Sequence, residues 1–172
     1  MTHNPPLTRR RLGLGCVLFT LAACGFRPRT PTSYGFKTIY ISSAPSPLLK
    51  ELQRALAGQR DIEVIQDPRQ RERADLQFDL LQELKEKVVI GRTATGGVRE
   101  FQLRLRVRFR VRNQAGIERI ADTELLQQRD ISFIETNVLA KEEEEILLYR
   151  NMQTDIISQI LLRLAHLGPN GG

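Results

Sequence analysis

Five arginines, Arg104, Arg106, Arg108, Arg110 and Arg112, occupy alternate positions of one stretch and interleave with Leu103, Leu105, Val107, Phe109 and Val111. A guanidinium presents a planar fork of donors that binds phosphate or carboxylate through two bonds at once, so such a row suits an anionic partner. The flanking residues offer a second use. Asp75, Asp79, Glu83 and Glu86 precede the row, and Glu118, Asp122 and Glu124 follow it, so adjacent strands can neutralise it in cross-strand pairs. Catalysis has less to work with. Beyond Cys24 the chain has one histidine, His166, in the last turn of an expected helix, where a cation suits the C-terminal dipole. No Ser–His or Cys–His arrangement, phosphate-cradling glycine loop or metal-ligand spacing occurs, and the carboxylates are candidates only by their number. A binding protein, with no metal and no enzymatic activity, is the expectation.

The thiol at Cys24 has a more specific chemistry. Arg9-Arg10-Arg11 precedes the twelve residues Leu12 to Ala23, which are almost all apolar or small. As a helix, that stretch rises about 18 Å, short of a hydrocarbon core of about 30 Å. It has the size and flanks of a secretory signal. It ends in Leu21-Ala22-Ala23-Cys24, which resembles a bacterial lipobox. There, small side chains admit the peptidase and only a thiol forms the thioether to diacylglycerol. An ordinary signal peptide with a chance cysteine is the competing reading. The expected modification is covalent: diacylglycerol and an N-acyl chain (palmitate) on Cys24, with no other cofactor. Two or more acyl chains anchor stably where one does not. Gly25 rather than aspartate after the cysteine points by analogy to the outer membrane, on its periplasmic side. Thr8 to Leu12 also looks like a degenerate twin-arginine signal, so the export route stays open. Cys16 lies in the discarded segment, leaving one blocked cysteine and no disulfide.

Removing residues 1–23 takes away three arginines and no acid, leaving 23 basic and 20 acidic residues on the other 149. Attraction of the whole molecule to nucleic acid loses its support, and any bound polyanion must meet locally concentrated charge. The expected organisation is a signal peptide at 1–23, a lipidated tether at 24–33, one domain at 34–168 and a tail at 169–172.

Several elements must position the arginines. Phe36 to Ile41 reads as a strand. Ser46 caps a helix with Pro47 in its first turn and Leu48, Leu49, Leu52 and Leu56 on one face, ending near Gly58. Ile62 to Ile65 is a short strand and Asp67 to Arg73 a charged loop. Leu76, Phe78 and Leu80 alternate but Leu81 and Leu84 break the period, so residues 75–90 fit helix or strand. A long strand with a bulge is expected, because the stretch runs into Val88-Val89-Ile90 and then a turn-rich segment. A glycine-rich turn, Gly91 to Gly97, leads into the arginine strand, and Asn113 to Gly116 turns it into a strand over 117–133. Thr136 or Asn137 caps a last helix with an apolar stripe of Ile146, Tyr149, Met152, Ile156, Ile160, Leu164 and Leu167, stopped by Gly168-Pro169. The fold class is α+β: a two-layer sandwich with two helices on one face of a mostly antiparallel four- to five-stranded sheet.

Arg92 sits in the glycine-rich turn, with Arg99 just behind it; an ordinary solvated turn is the plain alternative. Lys141 opposes the dipole at the start of the last helix, which hints at a use outside that helix.

Taken in order, these parts resemble the LptE family of lipopolysaccharide-assembly lipoproteins. The similarity runs through Leu21 to Phe26 with the following arginine, the strand–helix–strand start and the long hairpin. It continues in Leu139-Ala140-Lys141, Leu148 to Met152, Asp155, Ile160 and Arg163-Leu164. The resemblance implies a two-layer fold, an outer-membrane anchor, a 1:1 plug inside the LptD β-barrel and direct binding of lipopolysaccharide. It also implies lipopolysaccharide contact by basic residues at the hairpin and at the start of the last helix. Arg92, Arg99 and Lys141 are the candidates there, and Arg104, Arg106 and Arg108 join them from the strand. A free-standing envelope lipoprotein binding peptidoglycan or a small anion is the alternative.

Overall fold

The computed structural model describes residues 34–42, 44–132 and 138–167. Cys24, the signal peptide, the tether, Phe133, the Thr136 and Asn137 caps, the Gly168-Pro169 stop and the tail lie outside the described residues. Among the described residues five strands and two α-helices form two layers: β1 (Thr38–Ile41), α1 (Pro47–Ala57), β2 (Glu63–Ile65), β3 (Leu76–Arg92), β4 (Val98–Asn113), β5 (Glu118–Ser132) and α2 (Val138–Ala165). Asp67 to Arg73 is not an open loop. Pro68–Arg73 forms a 3₁₀ helix, and the Asp67 side chain accepts from Arg69 N at 2.9 Å. Proline sets the first φ and the carboxylate takes an otherwise unpaired N–H.

The sheet runs β2-β1-β3-β4-β5 and is mixed. β3, β4 and β5 pair antiparallel through long hairpins, whereas β1 pairs in parallel with both β2 and β3. Parallel neighbours need a crossover, and α1 supplies the one between β1 and β2. The bulge expected in β3 falls between Leu80 and Gln82. It leaves Leu81 exposed and resets the alternation.

Both helices pack on one face. Leu48, Leu52 and Leu56 of α1 and Met152, Ile156, Ile160 and Leu164 of α2 share a core with Leu103, Leu105, Val107, Phe109 and Val111 of β4, all fully buried. The expected α2 stripe holds from Tyr149 onward, but Ile146 is 58% exposed. In the turns before Tyr149 the sheet-facing positions are held by Glu145, paired with Lys87, and Lys141, beside Ser132, so Ile146 points outward. Ser46 fixes α1 twice: its hydroxyl oxygen accepts from Leu49 N at 3.1 Å and its proton goes to Glu83 Oε2 at 2.6 Å. Across the helix pair, Gln153 donates to Glu51 at 2.6 Å.

Asp75 sets the start of β1. Its Oδ2 accepts from the backbone N–H of Lys37 and Thr38, each at 2.9 Å, and Thr38 Oγ1 accepts from Asp75 N at 2.8 Å. Burial raises its pKa, but the bonds from Lys37 and Thr38 outweigh that, and the net shift is below the usual carboxylate value. A depressed folded-state pKa gives stability that is present above the unfolded pKa near 3.9 and is lost as pH falls through the lower folded value. Asp75→Asn is expected to flatten this acid limb, read as the pH dependence of the urea midpoint below pH 5; an unchanged slope would exclude Asp75 as its source.

Candidate functional site

The arginine strand shows why charge and availability differ. Alternation puts Arg104 to Arg112 on the sheet face away from the helices, where β3 and β5 supply acids. Arg106 pairs with Glu124 at 2.5 Å and lies 3.9 Å from Glu86. Arg108 pairs with Asp122, whose carboxylate holds the guanidinium firmly charged. Asp79 gathers three cations: Arg112 at 2.7 Å, Arg110 at 3.1 Å and Arg71 at 3.5 Å. The cross-strand alternative therefore describes Arg106, Arg108, Arg110 and Arg112. Arg104 differs, because its Nε donates to Gln102 Oε1 at 2.8 Å and it has no carboxylate partner among the described residues. The net positive charge of the row moves to its hairpin half.

That half ends at the β3–β4 turn. Gly96 takes φ +87°, a left-handed conformation that side chains rarely adopt, and lets Thr93 N reach Gly97 O at 2.8 Å. Arg92 curls back to donate to Gly96 O at 3.1 Å, so part of its donor fork serves the turn. Arg99 is exposed and has no ion-pair partner among the described residues.

Chain pairing brings Lys141 to the same end. Glu100 lies opposite Ser132 across β4 and β5, and Ser132 Oγ is 3.4 Å from Lys141 Nζ. Lys141 also pairs with Glu144 at 2.7 Å, which answers the opposed dipole locally. Beside it is a notch of about 90 Å³ lined by Lys87, Phe101, Ile131, Ser132, Lys141, Glu142 and Glu145. It holds a few waters or one phosphate-sized group. Lys87 was not legible as a site residue. It lies over the Phe101 ring at 4.5 Å and pairs with Glu145 at 2.6 Å. The signal was its place in Glu83 to Lys87, where Lys85 and Lys87 share the helix-facing side of β3. One turn farther along α2, Tyr149 donates to Glu86 O at 2.8 Å; burial, then Glu145 and Glu86, push its phenol pKa up.

Arg92, Arg99, Lys141 and Lys87 thus lie toward one end of the sheet, with Lys87 and Lys141 on its helix side, whereas Arg104, next to the Leu103 that faces Lys87, projects from the opposite face. Arg106 and Arg108 lie farther along and are engaged with acids. Cys24 lies outside the described residues.

The family model described as LptE, lipopolysaccharide-assembly, matches residues 36–164. The chain belongs to the LptE family. The match spans the whole two-layer domain, including the hairpin and both helices. Lipoprotein B from Nitrosomonas europaea is similar at 26% identity and a TM-score of 0.72, over 86% of this chain and 94% of that one. The rare lipoprotein B from Shewanella oneidensis has 21% identity and a TM-score of 0.60, over 74% and 93% of the two chains. A minor lipoprotein from Acinetobacter baumannii has 16% identity and a TM-score of 0.58, over 77% and 93%. These last two show the fold alone. No curated protein matches the chain. Membership makes this LptE-family chain a component of lipopolysaccharide assembly, and the described role of the family is assembly rather than catalysis.

Proposed function

We propose that the protein is an outer-membrane lipoprotein, anchored through acylated Cys24, that fills and helps assemble the LptD barrel and binds lipopolysaccharide at its hairpin end. The observation that carries the binding reading is the gathering of Arg92, Arg99 and Lys141 at the end of the sheet where Arg104 lacks a carboxylate partner. Phosphates of lipopolysaccharide are the anions these cations suit, through charge-assisted hydrogen bonds. The notch beside Lys141 admits a phosphate but not an acyl chain, so lipid tails remain outside it.

The open sheet face supports the plug. Its arginines and acids are paired in place, giving a polar surface near neutrality with few mobile charges, which suits the polar interior of a membrane barrel. A face that had to bind polyanion along its whole length would keep its arginines free.

Two measurements test this reading. The triple variant Arg92→Ala, Arg99→Ala, Lys141→Ala is expected to weaken lipopolysaccharide binding about tenfold or more, with an unchanged melting curve, since each charged hydrogen bond contributes about 1.5–3 kcal/mol at most and exposure reduces it. Arg108→Ala should leave binding within about twofold. Equal losses from the two variants would sink the hairpin assignment. Purification through a C-terminal tag in mild detergent should bring down a large β-barrel in 1:1 ratio; recovery of the chain alone would remove the plug.

A further inference from the structure

The opposite end of the domain carries a second basic site, built differently. Arg119 and Ile120 of β5 face Gln159, Leu162 and Arg163 of α2 and His166 just after it across an open cleft of about 510 Å³. No acid lines it. Arg119 has no hydrogen-bond or ion-pair partner among the described residues. Among the described residues Arg163 donates only to Gln159 O at 3.4 Å, and His166, which is exposed, has its Nδ1 2.6 Å from Leu162 O. The neighbouring acid, Glu118, is drawn to Arg110 at 3.8 Å on the other sheet face. Between the cations is apolar surface: Leu162 is 61% exposed and Ile120 half-buried. This is the reverse of the arginine strand, where every guanidinium but one meets a carboxylate.

Position supplies the occupant. β1 runs parallel to β3, and Leu76 pairs with both Ile39 of β1 and Asn113 of β4, so the chain enters the domain at the end that carries the β4–β5 turn and the C-terminus of α2. From β1 to β5 is three strand spacings, about 14 Å. The ten residues 24–33 reach at most about 35 Å, so an acyl anchor at Cys24 keeps this end close to the leaflet holding it.

We propose that the Arg119–Arg163–His166 cleft binds the phosphate headgroup of an anionic glycerophospholipid of that leaflet, with Leu162 and Ile120 against its glycerol and upper acyl carbons. The two guanidiniums supply the forked donors for phosphate, and the open apolar strip separates a lipid from a free anion. The assignment rests on anchoring at Cys24 but not on lipopolysaccharide binding at the far end.

The test uses the full chain in phosphatidylcholine vesicles, with or without phosphatidylglycerol, carrying benzoylphenylalanine in place of Leu162. Irradiation should give a phosphatidylglycerol adduct, detected by mass, well above any phosphatidylcholine adduct. Arg119→Gln with Arg163→Gln should lower it about tenfold while lipopolysaccharide binding at the hairpin end and the melting curve hold. Equal adducts with both lipids, no adduct, complete competition by millimolar inorganic phosphate, or an adduct formed only with added lipopolysaccharide would each overturn the proposal. Acyl labelling of Cys24 is read separately, so failure of the anchor and failure of the cleft are distinguishable.

Discussion

Cys24→Ser will leave the protein without acyl chains and remove it from the outer-membrane fraction. A serine hydroxyl keeps the size of the side chain but cannot form the thioether, so palmitate labelling should fall to background rather than decline by degree. The apolar stretch from Leu12 to Ala23 cannot substitute as an anchor, because about 18 Å of helix does not span the hydrocarbon core. Among the described residues no helix is long and apolar enough to cross a membrane. Without acyl chains, membrane attachment would rest on protein contacts alone. Barrel assembly should drop with it, read as the amount of mature barrel in the outer membrane. Retention of label in Cys24→Ser, or normal fractionation without label, would end the anchoring proposal.

Phe109→Ala is expected to cost about 3–5 kcal/mol, a large part of the roughly 5–15 kcal/mol that holds a domain together. Phe109 is fully buried and stacks on Phe78, with ring centroids 5.3 Å apart and planes 14° apart. These two rings join β3 to β4 beneath α2, and truncating one leaves a cavity that its stiff β-sheet neighbours cannot close. The melting temperature should fall on the order of 10–20 °C. Arg108→Ala, one residue away on the opposite face, should leave the melting temperature nearly unchanged, because its partner Asp122 is 44% exposed and its own side chain 43% exposed, and solvent screens the pair. The contrast tests the alternation directly. Comparable losses at the two positions would mean that β4 does not have one buried face.

That alternation is the part of the fold most legible in the residues. Leu103, Leu105, Val107, Phe109 and Val111 are all fully buried, as period two requires. The α1 face and its Ser46 cap and the α2 stripe from Tyr149 onward were legible for the same reason, each being a local pattern with one geometric solution, whereas residues 75–90 fitted helix or strand and only the run into Val88-Val89-Ile90 favoured the bulged strand that is found. Ile146 departed from its stripe because its turn of α2 turns Glu145 toward the sheet, where it pairs with Lys87, a partner that apolar periodicity does not register. The parallel placement of β1 between β2 and β3 was not legible either, since short strands carry no mark of direction and pairing depends on the path of α1.

The candidate site divides along the same line. The arginine row was plain, but whether its cations were free or paired depended on register, which pairs atoms from segments far apart in the chain. Asp79 meets Arg110 and Arg112 from over 30 positions away. Lys87 and Lys141, more than 50 residues apart, share a notch only because Ser132 falls opposite Glu100. By itself the sequence determined which faces are buried and the order of elements that resembles LptE. Burial follows from the period of apolar residues, which is local. Only the tertiary structure decided which charges are cancelled and which remain, because Coulomb energy depends on distances of a few ångströms between residues remote in the chain.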